Sequence, residues 1–182
     1  MSTRSFIGKL NQDGTVDYTY CHWDGYCAWN GYILLAHATS EQAVDDLLAE
    51  GWLSSIDWSE AEGKIKTVKV HDIPAERNVP LADFLDTKEH WGIEYFYLYD
   101  VTKQQWFVAS VHALEFKLYP LRYLLIYELK KALAKGWEFE KEIAKEAIEK
   151  GIISAEELGE ITEKKQKKAE VIEEEELEYI PF

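Results

Sequence analysis

Between Lys9 and Lys64 the chain has no lysine or arginine. Polyanion binding is driven by those residues displacing counterions from phosphates. The stretch is therefore excluded as a nucleic-acid surface. A net charge of −14 makes weak or no binding of free nucleic acid the expectation for the whole chain. Also missing is any apolar run near the ~18 residues that cross a bilayer, so no membrane partner is expected. Met1-Ser2-Thr3-Arg4-Ser5 opens without the long apolar stretch of a secretion signal, which points to an intracellular protein. Cysteine is scarce. Cys21 and Cys27 lie six apart; without a secretory address they read as free thiols, one packed and one partly exposed, with a structural disulfide as the other reading. A zinc site would need the fold to bring His22 and His37 to them, and neither a metal nor another cofactor is expected.

The cation-free window instead holds ten carboxylates, Asp13, Asp17, Asp24, Glu41, Asp45, Asp46, Glu50, Asp57, Glu60 and Glu62, with eight aromatic residues among them. Such a surface attracts a basic protein groove by long-range steering. A solubilising face is the plain alternative. Aromatics are 14% of the 182 residues, enough for one good core and a surplus of ring surface for partners.

The expected fold class is α+β: an antiparallel sheet with an N-terminal β-hairpin, helices packed on it, and a helical, acidic C-terminal third. Residues 5–10 and 16–23 read as strands joined at Asn11-Gln12-Asp13-Gly14, because Asp-Gly suits the positive φ of a two-residue turn. With Asp13-Gly14 as the turn, Lys9 pairs with Tyr18, Ile7 with Tyr20 and Ser5 with His22, all on one face; a one-residue slip exchanges the faces. A short helix is expected over 30–38. Thr39 or Ser40 caps a second, with Val44, Leu47 and Leu48 buried and Gly51 ending it. Residues 64–73 alternate as a half-buried strand, and Pro80 opens a short helix through Leu81, Phe84 and Leu85. Residues 93–99 and 105–111 form a second hairpin rich in rings.

From Pro120 the period turns helical. Leu121, Leu124, Leu125, Leu129, Ala132 and Leu133 make one stripe, ended at Gly136; Phe139, Ile143, Ala147 and Ile148 make a second, ended at Gly151. Ser154 with Glu157 caps a third helix. The division expected is an α+β core over 1–136, with its hairpin at 5–23, and a Glu/Lys-rich helical region over 137–182 with a mobile acidic tail. Residues 138–182 carry 15 acids against 7 lysines.

One segment is distinctive: Tyr20-Cys21-His22-Trp23-Asp24-Gly25-Tyr26, followed by Asn30-Gly31 and Gly51-Trp52-Leu53-Ser54-Ser55-Ile56. Together with Met1-Ser2-Thr3-Arg4-Ser5 and Asp13-Gly14-Thr15-Val16, it resembles a group of small phage and prophage proteins over about the first 56 residues. Cys27 and Trp52 depart from the group's pattern. More narrowly, the chain looks like a streptococcal type II anti-CRISPR protein of the guide-RNA-truncating kind. The resemblance implies a mobile element's counter-defence protein in the cytoplasm of a bacterial host. Its implied partner is a type II RNA-guided effector nuclease with its guide RNA, and its hairpin would serve guide cleavage.

The residues allow a mechanism for that. RNA cleavage needs groups that activate a 2′-hydroxyl, stabilise a phosphorane and protonate a leaving oxygen. His22 is the candidate acid/base, Asp24 its orienting carboxylate, and Lys9 or Arg4 the phosphate-steadying cation. Tyr18 and Tyr20 would stack unpaired bases, while Asp13, Asp17, Asp45 and Asp46 belong to the acidic docking face. A purely structural reading stands beside it: His22 bonded within the core, Tyr18 and Tyr20 as a cross-strand ladder, and Asp24-Gly25 as a turn.

Overall fold

The computed structural model describes residues 2–87 and 92–159. The proposed acidic tail lies outside the described residues. Strands β1 (Ser5–Leu10) and β2 (Thr15–Cys21) form the N-terminal hairpin. Helices α1 (Tyr32–His37) and α2 (Glu41–Ala49) follow a π-type turn at Cys27–Gly31. Next come β3 (Leu53–Ser59), β4 (Lys64–Lys69), β5 (Glu76–Pro80) and α3 (Leu81–Asp86). The second hairpin is β6 (Tyr95–Asp100) and β7 (Gln105–Ser110), and the short β8 (Tyr119–Pro120) leads into α4 (Leu121–Ala134), α5 (Glu138–Glu149) and α6 (Ala155–Gly159).

The α+β class is as expected, with hairpins and helices in one structure. The sheet, ordered β4-β3-β2-β1-β6-β7-β8, is mixed and not wholly antiparallel, because β1 runs parallel to β6 from Ser5↔Tyr95 to Leu10↔Asp100. The free edge of β2 is shared: β3 meets it at Cys21↔Leu53, and β5 pairs with it from Thr15↔Pro80 to Tyr18↔Glu76. Strands β3 and β5 escape the sequence pattern because β3 alternates weakly and β5 is mostly exposed.

The first hairpin is shifted by one residue from the expected register. Its pairs are Ser5↔Cys21, Ile7↔Thr19 and Lys9↔Asp17. The loop is longer than a two-residue turn: Gly14 N–H donates to Asn11 O (3.0 Å), Asn11 N–H donates to Thr15 O (2.8 Å), and Gly14 takes φ +84°. This is a type I turn closed by a left-handed residue, the usual three-residue hairpin. Side chains alternate across a strand, so the extra residue moves Tyr18 and Tyr20 to the face opposite Lys9.

Each face of the sheet carries a core. On one, Ile7, Cys21, Tyr97 and Val108 pack under α1, α2, α4 and α5; Ile143, Ala144 and Ala147 of α5 join the same cluster as Leu125 and Leu129 of α4. On the other, Phe6, Val16, Tyr18, Tyr20, Phe96 and Leu98 pack against Phe84 of α3. Rings meet there at 4.7 Å (Phe6–Tyr18) and 5.0 Å (Tyr18–Phe84), in tilted geometries that favour aromatic pairs. The helix caps follow the sequence: Ser40 Oγ accepts from Ala43 N–H (3.2 Å), and Ser154 with Glu157 forms a reciprocal box at 3.1 and 2.7 Å. Among the described residues no helix is long and apolar enough to cross a membrane.

Candidate functional site

Because β1 and β2 are interior strands with cores above and below, the ribbon has no open face. The expected stacking and cutting surface along it is absent. Tyr18 is enclosed by Phe6 and Phe84, and burial pushes its phenol up, with Glu76 adding to the shift. Lys9 points under α2, where its Nζ donates to Asp45 Oδ1 (2.6 Å) and Glu41 Oε1 (3.3 Å). Burial works against that ammonium, but the two carboxylates outweigh it and raise its pKa. Lys9 is thus a counter-ion to α2, separated from His22 by the sheet's two faces.

Asp24 is exposed with φ +56°, and the group on the His22 ring is not its carboxylate but the Tyr20 hydroxyl, 2.6 Å from Nδ1. The following loop is held by backbone proximity. Gly25 N–H donates to Thr3 O (2.9 Å), and a Cβ at Gly25 would stand 2.8 Å from that oxygen, so no larger residue fits the crossing. Asn30 Nδ2 donates to Ser5 Oγ (3.3 Å) and Trp23 O (3.4 Å), tying the motif back to β1. Both thiols are free and buried, so the expectation of one partly exposed cysteine does not hold. Burial raises Cys21 to about 11 and Cys27 further above its ordinary value. Neither is a nucleophile at neutral pH.

The rest of the loop leans on Glu128 of α4, which sequence reading passed over within a helical stripe. Its carboxylate accepts from Tyr95 Oη (2.7 Å) and Cys27 N–H (3.0 Å), while Tyr97 Oη donates to Gly25 O (2.7 Å). Burial pushes the Glu128 carboxyl up, against the lowering effect of the Tyr95 and Cys27 bonds.

Where the ribbon ends, it opens. Five chain segments converge on a cleft of about 570 Å³: Arg4 ahead of β1, Tyr20 and His22 at the end of β2, Trp52 ahead of β3, Val70 and His71 after β4, and Gly92 ahead of β6. Tyr20 and Trp52 rings lie 5.1 Å apart. The Arg4 guanidinium passes so close to Gly92 that a Cβ there would lie 3.0 Å from Nη1, and Gly92 also holds φ +61°. Burial raises the Tyr20 phenol while Arg4, hydrogen-bonded to it, lowers it. The Tyr20 hydroxyl thus links Arg4 to His22 Nδ1 (2.6 Å), which leaves Nε2 as the ring nitrogen that the strand does not engage. Three of the predicted residues, Arg4, Tyr20 and His22, thus meet here. Trp52, His71 and Gly92 come from segments remote in sequence, and no sequence spacing links them.

The ten carboxylates of the cation-free window do not form one face. Asp13 sits at the hairpin turn, accepting from Thr15 N–H (3.0 Å) and Thr15 Oγ1 (2.7 Å), bonds that hold its carboxyl below the usual range. Asp24 lies beyond the other end of β2, on the order of 20 Å away at strand rise. Asp17 is buried against Arg77 (3.1 Å) and accepts from Asn78 N–H (2.9 Å). Lys69 pairs with Glu50 (3.3 Å) and Lys64 with Glu62 (3.0 Å). Cations absent from the stretch in sequence are brought to it in space.

Two acidic groups remain. Trp58 of β3 stacks on His37 (3.4 Å, 8°), pinning the β3–β4 hairpin to the end of α1. Asp57, Glu60 and Glu62 of that hairpin are exposed, and α2 carries the second group, Glu41, Asp45 and Asp46; Asp46 accepts from Gln42 Nε2 (2.8 Å). Comparison with protein-family models, with curated proteins and with solved structures finds no match to this chain.

Proposed function

We propose that the protein is a phage-type counter-defence inhibitor that binds a type II RNA-guided effector nuclease stoichiometrically and does not cut its guide. The acidic surface carries this reading: α2 presents Glu41, Asp45 and Asp46 and the β3–β4 hairpin presents Asp57, Glu60 and Glu62, with only Lys9 paired into the first group and Lys64 into the second among the described ion pairs. A groove shaped for phosphates attracts such a surface. The identity of the partner rests on the resemblance of the N-terminal motif to phage proteins. The noncatalytic character rests on Lys9 and His22, which sit too far apart in their surroundings to serve one phosphate. Guide truncation is kept as a second reading by one observation, the meeting of Arg4, Tyr20 and His22 in the cleft.

The test is effector activity titrated with this protein, alongside a denaturing gel of the guide. Inhibition complete at one equivalent, with an intact guide and binding that weakens steeply with salt, is expected; Asp46→Lys with Glu60→Lys should weaken it at least tenfold. A discrete shorter guide at substoichiometric protein, lost in His22→Ala, would establish the second reading instead. Full effector activity at excess protein would sink both.

A further inference from the structure

We propose that the cleft at the end of the ribbon binds a nucleoside monophosphate, with its phosphate on Arg4, His22 and His71 and its base against Trp52 and Tyr20. This site includes none of the carboxylates of α2 or the β3–β4 hairpin, and the inference rests on neither reading of the effector interaction.

The lining is unusual for this chain. In a protein of net charge −14, the described residues around the cleft include three basic side chains and no carboxylate. Each basic side chain brings nitrogen atoms that can donate to an anion: the guanidinium of Arg4, the imidazole of His22, and the imidazole of His71, which is exposed at the rim. Nδ1 of His22 is already engaged by Tyr20, so the ring is oriented before a ligand arrives. Arg4 is likewise held by Tyr20 and laid over Gly92. A fixed set of donors without a carboxylate among them suits an anion.

The remaining lining is apolar and flat. Trp52 and Tyr20 make an angled pair of rings, and Val70 fills beside them; its N–H donates to Trp52 O (3.1 Å), which secures the loop to β4. Rings beside anion donors match a base beside a phosphate. About 570 Å³ accommodates one nucleotide within the usual range of small-ligand sites. The overall negative charge selects for size as well. A long RNA would meet the chain's carboxylates over its whole length, whereas a mononucleotide inside the cleft is screened from charges beyond about 8–10 Å at physiological salt.

Isothermal titration calorimetry with adenosine 5′-monophosphate tests this, using adenosine and inorganic phosphate as the two halves of the ligand. Expected is a one-to-one Kd of roughly 10–1000 μM for AMP, the range that ligand efficiency allows, with each half at least tenfold weaker. Arg4→Gln should weaken AMP binding about tenfold. His71→Ala, at an exposed position that the fold does not lean on, should weaken it several-fold with an unchanged thermal midpoint. No heat with AMP, equal binding of AMP and adenosine, or unaltered binding by His71→Ala and Arg4→Gln together would overturn the assignment. A 5′-phosphorylated tetraribonucleotide separates the sources of the ligand. Weaker binding than AMP supports the free nucleotide, and binding at least tenfold tighter overturns it in favour of an RNA end. Because effector inhibition is not read, failure here leaves the proposed function standing.

Discussion

The middle and the end of the same two strands have opposite characters. In the middle of β1 and β2 the fold uses Lys9, bonded to Asp45 and Glu41, Asp17, bonded to Arg77 and Asn78, and Thr19, whose Oγ1 donates to Gly51 O (2.6 Å). At the end, Arg4, Tyr20 and His22 hold one another in place yet still line an open cleft. Covering a sheet on both sides turns its polar side chains into structure. Function, where it needs solvent access, moves to the rim.

The largest effect that would sharpen this contrast belongs to the middle. Phe84→Ala removes a fully buried ring touching Phe6, Tyr18 and Phe96. It should cost about 3–5 kcal/mol in a urea melt. A loss under ~1 kcal/mol would mean that α3 does not cover that face.

Next is a pair of substitutions on neighbouring strands. Lys9→Ala leaves two carboxylates without their counter-ion and should cost about 2–3 kcal/mol, less than a fully buried pair because Asp45 and Glu41 stay partly hydrated. His22→Ala, at the rim, should cost under about 1 kcal/mol. Equal costs would break the distinction between the middle and the end.

The smallest effect concerns the loop leaving the ribbon. Glu128 has a native pKa above its ordinary 4.5, so below that value it is protonated in both states and carries no penalty. As pH rises, the unfolded chain ionises first and the wild type loses stability until the native pKa is passed. Glu128→Gln does not titrate. The stability of wild type relative to this variant should therefore fall as pH rises through about 4.5 and level off once the raised native pKa is passed. A rise would mean that the Tyr95 and Cys27 bonds outweigh burial.

Legibility in the sequence followed the range of the interaction. The Ser40 cap, the buried Val44-Leu47-Leu48 stripe, the ring-rich second hairpin and the Leu121–Leu129 face were readable because each is set within a turn or a strand pair. His22, Tyr20 and Arg4 were readable as chemistry-bearing residues, but His22's partner was not. Asp24 was the neighbour in sequence, whereas Tyr20, two residues back on the same side of the strand, is the neighbour in space. Trp52 stood out only as part of the motif and His71 not at all, because their relation to the ribbon exists only after β3 and β4 have paired.

Composition and periodicity, taken alone, determined an α+β chain with these helices, two hairpins and a strong negative charge, since propensities, caps and hydrophobic alternation act over a few residues. Tertiary structure decided the rest. A loop one residue longer than the shortest turn chose which side chains faced each other across the ribbon. Lys69 and Arg77 came to neutralise Glu50 and Asp17, acids far from them in the chain. Coulomb attraction and desolvation depend on separation in space, and that separation is fixed when the sheet assembles.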